Sequence, residues 1–247
     1  MDERYVRQTI LPEIGPQGQE RLAHAGVLIA GTGGLGSVTA LYLAAAGIGH
    51  IKIVDHDSLE PSNLNRQIIH SEAFLGQPKV ISAADRMKAL NPTIRVTPVR
   101  TRITSANIDA LLDGVEIIVD GSDNYETRQV LNRASLRHGL PFVYAGVRGF
   151  DAMISSFVPG RTACFECIVT GGDAPVGRVS GIVGPAAGMA ASFQAMETLK
   201  LILGIGKPLE NRMVCISGLD MRIHCVNLNS NPQCKACGQI SNPDKRL

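Results

Sequence analysis

Hydrophobic positions fall into short, nearly unbroken runs through the first 150 residues, with stretches of helical periodicity between them. Val27-Leu28-Ile29-Ala30, Ile51-Lys52-Ile53-Val54, Ile117-Ile118-Val119-Asp120 and Phe142-Val143-Tyr144 have the character of strands covered on both faces, and Arg95 to Val99 adds a fifth. Ser37 to Ala46, rich in Ala and Leu and closed by Gly47, predicts a helix. Lys79 to Leu90 predicts another, with Pro78 at its first turn and Asn91-Pro92 stopping it. Ile108 to Leu112 and Tyr125 to His138 complete the series. Alternation of this kind predicts an α/β fold with a Rossmann-like, doubly wound, mainly parallel sheet. Beyond Gly149 the texture changes: residues 151–159 and 213–228 read as antiparallel strands, with a helix from about Ala190 to Leu203 between them.

Composition narrows the classes. Of 247 residues, 45% are hydrophobic and 19% charged, which suits a globular chain rather than a disordered one. Lys and Arg number 24 against 22 Asp and Glu, so no excess of positive charge is available for gripping nucleic acid. The uncharged run from Val179 to Met196 is long enough to suggest a membrane helix. However, Gly181, Gly184, Pro185, Gly188, Ser192 and Gln194 make it too polar, and a buried segment is expected instead. Met1-Asp2-Glu3-Arg4 is charged with no apolar core behind it, so a cytoplasmic setting is expected.

Gly31-Thr32-Gly33-Gly34-Leu35-Gly36 follows a predicted strand and opens a predicted helix, the context in which G-x-G-x-x-G binds a phosphate chain. Asp55, 24 residues after Gly31, stands at the next strand end, where a carboxylate can hold ribose hydroxyls. An NAD(P)-dependent oxidoreductase would show the same features. The residues that follow favour a triphosphate. Asn63, Arg66 and Lys79 put an amide and two cations just past that strand end, suited to charge on a leaving pyrophosphate. Asp123, after the strand ending at Asp120, could bind the accompanying magnesium. Taken singly, these residues could be a solvated Arg and Lys and a helix N-cap at Asp123. Against the oxidoreductase, none of Tyr5, Tyr42, Tyr125 and Tyr144 has Lys four residues later.

Gly31 to Gly36, Asn63-Leu64-Asn65-Arg66-Gln67, Gly76-Gln77-Pro78-Lys79, Ser122-Asp123-Asn124, Gln194-Ala195-Met196-Glu197 and two Cys-x-x-Cys pairs together resemble the ThiF/MoeB/HesA family. These are bacterial relatives of the ubiquitin-activating enzyme, and the resemblance runs from about Arg4 to Gly238. It implies an adenylyltransferase that uses MgATP to activate the C-terminal glycine of a small ubiquitin-fold sulfur carrier (MoaD/ThiS-like, ending in Gly-Gly) and releases pyrophosphate. It further implies nucleotide contacts from Gly31, Gly33, Gly34, Gly36, Asp55, Asp57, Asn63, Arg66, Gln67, Lys79, Asp123 and Asn124, with magnesium on Asp123. Arg66, Lys79 and Asp123 would carry the chemistry, joined by Arg7 reaching the partner subunit's ATP in a homodimer. A carboxylate is ionised at neutral pH, so no proton-transfer residue is needed. His24, His138 and His224 are accordingly expected at the surface or an edge.

Cys164-Phe165-Glu166-Cys167 and Cys234-Lys235-Ala236-Cys237 have the spacing of two knuckles of a tetrahedral, structural zinc site. A thioredoxin-like redox pair is the rival, and neither pair is expected to open a helix after a strand. Cys215 and Cys225 lie in apolar strand-like runs and are expected to be buried. Several relatives carry a thiol in a crossover loop where this chain has Gly177, so a covalent link to the carrier is not expected and a separate sulfur donor is. The expected organisation is an N-terminal arm and nucleotide-binding part over 1–150, then antiparallel strands, crossover loop and zinc-binding part over 151–238 of the same domain. Residues 239–247 are expected to form a flexible tail.

Overall fold

The computed structural model describes residues 3–169 and 181–238. After a 3-10 turn at Glu3–Tyr5, α1 (Val6–Thr9) and α2 (Gly15–His24) form an N-terminal arm. Then come β1 (Gly26–Ala30), α3 (Gly34–Ala46), β2 (His50–Asp55), α4 (Lys79–Leu90), β3 (Arg95–Arg100), α5 (Ile108–Leu111), β4 (Ile117–Asp120), α6 (Tyr125–His138) and β5 (Phe142–Arg148). The remainder is β6 (Asp151–Phe157), α7 (Phe165–Ile168), α8 (Gly184–Leu203), β7 (Arg212–Ser217) and β8 (Arg222–Asn227).

All eight strands join one sheet in the order β3-β2-β1-β4-β5-β6-β7-β8. The first five are parallel, and β6, β7 and β8 are added antiparallel. β5 and β6 pair across residue 150, from Phe142↔Phe157 to Arg148↔Asp151, so the sheet runs unbroken through the change of texture. β1 is buried along its whole length. One face packs against α2, α3, α4 and α8 through Leu22, Leu43, Val80, Met87 and Leu203. The other packs against α5, α6 and α7 through Ile108, Leu131 and Phe165. Each such fully buried side chain contributes about 1.5–3 kcal/mol by leaving water. Strand order reverses between β1 and β4, whose loops lead to helices on opposite faces and leave a crevice between them.

Several boundaries differ from the sequence expectation. α3 starts at Gly34 rather than Ser37, because the glycines supply its first turn, and it ends at Gly47 in the left-handed region (φ 85°). α8 starts at Gly184 rather than near Ala190, with Pro185 in the first turn, where its missing N–H costs no helical bond. The run expected to be buried is therefore mostly the N-terminal half of α8. Pro185 and Met196 of this run are exposed. Cys225, expected to be buried, is also exposed, and Cys215 is only half-buried. β8 is the edge strand and every one of its residues is exposed, so its apolar composition does not report burial. Gly177 and the expected tail lie outside the described residues.

Candidate active site

The C-terminal ends of β1, β2 and β4 meet at the crevice, and each passes into a loop bearing residues singled out above. Gly31 takes φ +100°, and a Cβ there would stand 2.6 Å from the Gly121 carbonyl oxygen, so only glycine lets the two loops touch. Gly33 then caps α3 with extended backbone and no side-chain cap, leaving the first-turn N–H groups available to an anion. Thr32, fully buried, donates to Asp55 Oδ2 from its backbone N (2.8 Å) and its hydroxyl (3.0 Å). Asp55 Oδ1 accepts from the Asp57 N–H at 2.9 Å. The Asp55 carboxylate therefore ties the glycine loop to the end of β2.

Lys79 is the first residue of α4. Its N–H bonds the Asp57 carbonyl at 3.0 Å, and its Nζ lies 2.9 Å from Asp57 Oδ2. The lysine side chain is 8% exposed and the aspartate side chain 51%. Burial by itself would raise the Asp57 carboxyl, but Lys79, with His56 and Arg102 further off, holds it below its ordinary value. Asn63 is buried, and its Oδ1 accepts from the Glu60 N–H at 3.0 Å, closing a turn. Arg66 donates from Nη1 to the Ser62 carbonyl (2.9 Å) and to Asn65 Oδ1 (3.0 Å). Its Cγ lies 3.5 Å from where a Cβ on Gly34 would stand. Gln67 is 4% exposed with Nε2 facing Gly33, and its Oε1 is the one buried side-chain atom without a partner among the described residues. The loop at 63–67 thus lies against the glycine loop.

From β4, Asp120 leads through Gly121 and Ser122 to Asp123. Asn124, not Asp123, caps α6: its Oδ1 accepts from the Thr127 N–H at 2.9 Å. Asp123 is exposed, and Asn124 Nδ2 donates to its Oδ1 at 3.2 Å. A capping role does not account for Asp123.

Other residues at the crevice have no role assigned from the sequence, although Gln194 lies in the Gln194-Ala195-Met196-Glu197 motif. His70 is buried beneath the glycine loop, donating from Nε2 to the Thr32 carbonyl (3.1 Å) and accepting at Nδ1 from the Ser82 hydroxyl (3.0 Å) in its neutral form. Gln194 of α8 donates to the carbonyls of Asp120 (2.7 Å) and Val143 (3.2 Å). Buried Asp120 pairs with Arg128 at 2.9 Å. For Arg128 a signal existed: an Arg one turn into a helix that follows a strand-terminal Asp.

Arg7 is not brought to this crevice. The arm holds it at the other end of the helices. Arg4 Nη1 donates to the Leu90 carbonyl at 2.8 Å, and Gln8 Nε2 to the Ala46 carbonyl at 3.1 Å. Ala46 ends the 13-residue α3, whose first turn frames the glycine loop. The two ends are about 20 Å apart at 1.5 Å per residue.

The Sγ atoms of Cys164, Cys167, Cys234 and Cys237 lie within 4.8 Å of one another. Cys164 is 3.8 Å from Cys167 and 3.7 Å from Cys234, and Cys167 is 3.3 Å from Cys237. Tetrahedral zinc with bonds near 2.3 Å requires thiolates about 3.8 Å apart, so these residues fit the ion. N–H donors already point at sulfur, from Asn231 N to Cys167 (3.4 Å) and from Asn132 Nδ2 to Cys164 (3.7 Å). Burial pushes the Cys164 thiol up to about 12 and also raises Cys237, a state that a cation would reverse. Cys164 caps the single-turn α7, but a loop over residues 158–164 separates that helix from β6, so the pair does not open a helix directly after a strand.

A doubly wound sheet with a glycine loop, a buried lysine and an exposed aspartate at its switch point defines a nucleotide-binding α/β protein. The ThiF family model matches residues 5–236, and the chain belongs to that family. It is 37% identical over 245 residues to the sulfur carrier protein adenylyltransferase of Thermus thermophilus, covering 96% of this chain and 90% of that one. It is 36% identical over 241 residues to the SAMP-activating enzyme E1 of Haloferax volcanii, covering 96% and 89%. Among solved structures, E. coli MccB with ATP superposes with a TM-score of 0.85 at 27% identity, covering 96% of this chain and 75% of that one. The oxidoreductase reading finds no support among these proteins. No helix among the described residues is long and apolar enough to cross a membrane.

Proposed function

We propose that the chain is an ATP-dependent adenylyltransferase that activates the C-terminal glycine carboxylate of a ubiquitin-fold sulfur carrier. One observation carries the reading: Arg66 lies against Gly34 in the open first turn of α3, while buried Lys79 pairs with Asp57 after β2 and exposed Asp123 follows Gly121, which touches the glycine loop. A carboxylate oxygen of the carrier bonds to the α-phosphorus of ATP, the bond from that phosphorus to the bridging oxygen breaks, and pyrophosphate leaves. The first-turn N–H groups of α3 hold the phosphates, while Lys79 and Arg66 offset the repulsion between carboxylate and triphosphate. Asn63, Gln67 and Asn124 complete the polar lining, and Asp55 and Asp57 lie on the ribose side. Asp123 would hold magnesium, which supplies further positive charge to the phosphates. Zinc on the four cysteines would be structural, pinning the segment after β8 to α7.

A homodimer follows from Arg7. It stands about a helix length from its own glycine loop, so a role in adenylation requires a neighbouring site. Val6, Ile10 and Leu11 of the same arm expose apolar side chains, and Tyr42 of α3 and Met196 of α8 are exposed as well. Names of the relatives support a sulfur-carrier protein as the substrate. Its C-terminal Gly-Gly would enter the crevice, and sulfur would arrive from a separate donor. Thiolates kept reduced for a metal suit the cytoplasm.

The test is carrier-dependent exchange of pyrophosphate into ATP. Exchange with a Gly-Gly-terminated carrier, lost in Asp123→Ala with the fold intact, is expected. NADH binding with no exchange for any such carrier would overturn the reading.

A further inference from the structure

Asp120 is fully buried and the Arg128 side chain is 17% exposed, and the two form an ion pair at the end of β4. Everything they touch belongs to the loop that carries Asp123 or to the sheet beneath it. Asp120 Oδ1 accepts from the Ser122 N–H (2.9 Å) and the Ser122 hydroxyl (2.6 Å). Asp120 Oδ2 accepts from Arg128 Nε at 2.9 Å. Arg128 Nη2 donates to the Ser122 carbonyl (2.8 Å) and to the Ala145 carbonyl of β5 (3.2 Å). Its guanidinium carbon stands 5.2 Å from the centre of the Tyr144 ring. Both backbone groups and the hydroxyl of Ser122 are thus held from below. On the far side Asn124 is fixed by capping α6. Behind, Gly121 is pressed so close to the glycine loop that a Cβ would stand 2.5 Å from the Gly31 oxygen. Asp123 is left pointing out of a loop whose neighbours on both sides are immobilised.

A buried ion pair is a poor way to gain stability, since well-packed apolar residues serve as well or better. What this pair supplies is geometry. One planar guanidinium joins β4, β5 and the 121–124 loop, which an ammonium on a flexible stem cannot do at once. We infer that Arg128 is a positioning residue for adenylation, holding the Asp123 carboxylate at one fixed distance from the glycine loop so that it receives the metal of the bound nucleotide. The inference rests on the proposed magnesium role of Asp123.

The measurement uses the full-length protein with a non-hydrolysable ATP analogue and Mn2+, whose free signal is read by electron paramagnetic resonance. Arg128→Lys keeps the charge but not the fork, and should weaken Mn2+ binding about tenfold while changing nucleotide affinity without metal by less than about twofold. Exchange activity should fall with the Mn2+ affinity. Ser122→Ala leaves no charge unpaired, so it folds even if Arg128→Lys does not, and should shift Mn2+ affinity in the same direction by less. Asp123→Ala is the control, expected to lose metal binding altogether. Weak Mn2+ binding in Asp123→Ala with wild-type binding in the other two variants would overturn the inference alone. A parallel loss of nucleotide affinity and melting temperature with metal affinity unmoved would also overturn it, as that marks a merely structural pair. Wild-type Mn2+ binding and exchange in Asp123→Ala would overturn both the metal role and the inference.

Discussion

Lys79 Nζ lies 2.9 Å from Asp57 Oδ2, and the two ends of this ion pair have opposite surroundings. The lysine is buried at the first residue of α4, whereas half of the aspartate faces the crevice. Removing either partner therefore does different things. In Lys79→Ala the carboxylate that remains can hydrate, so stability should change little while exchange drops by about 100-fold or more. In Asp57→Asn a buried ammonium is left without its counter-charge, a loss of about 1–3 kcal/mol. Urea denaturation should rank Asp57→Asn below Lys79→Ala; the reverse order would mean that Lys79 is not held by Asp57.

His70 links the glycine loop to α4 as a neutral ring. Burial pushes it below its ordinary value and Lys79 adds to this, while the Thr32 carbonyl and Asp55 pull the other way. A depressed folded value means the unfolded chain binds the proton more readily. The stability this ring contributes is complete above its unfolded value of about 6.5 and is lost as pH falls through the lower folded value. Between about pH 7 and 5 the melting temperature should fall more steeply for the wild type than for His70→Gln, which can still donate to Thr32. Equal slopes would show that His70 titrates normally.

Much of this was legible in the chain because local chemistry and tertiary role coincide. The apolar runs at Val27, Ile51 and Ile117 are buried on both faces, and the Gly31–Gly36 loop sits between strand and helix. The losses have physical causes. β8 carries an apolar pattern, but nothing in the described chain covers it, so Cys225 is exposed where the pattern suggested burial. Asp55 was legible as a strand-end carboxylate suited to ribose hydroxyls, but not the three hydrogen bonds it accepts from protein N–H and O–H groups, two of which depend on the glycine loop folding over it. His70 and Gln194 reach the crevice from α4's approach and from α8, partnerships set by packing across tens of residues rather than by spacing.

Zinc and thiol reactivity should separate the six cysteines into two groups. About one zinc per chain is expected, with loss of metal in Cys164→Ser or Cys237→Ser. With metal in place, Cys225 should react with iodoacetamide first, because it is exposed while Cys164, Cys234 and Cys237 are buried. Chelation should release the four ligand thiols together. Protein that retains all four unreactive after complete chelation would not be using them as ligands.

Arg7 should act on the partner's site. Mixing Arg7→Ala with Lys79→Ala chains places both defects at one crevice of a heterodimer and none at the other, so exchange should partly recover. Action within one chain would require Arg7 to cross the length of α3, about 20 Å. Absence of recovery after confirmed subunit exchange would count against action in trans.

The reaction should stop at the acyl-adenylate. A thiol is the natural acceptor, and Cys225 is the exposed one in the described chain. It lies on β8, four strands beyond β4 in the sheet order, and strands are spaced about 4.8 Å, so some 19 Å separates it from the strand that ends at the Asp123 loop. Attack on an acyl carbonyl needs contact at about 3–3.5 Å. Blocking Cys225 with iodoacetamide should leave exchange unchanged. Carrier and MgATP together should give no covalent adduct by non-reducing gel or intact mass, with adenylate formation verified in the same tube. A thiol-sensitive adduct that disappears in Cys225→Ala would show that the sheet edge is carried to the crevice during turnover, and would make Cys225 the acceptor.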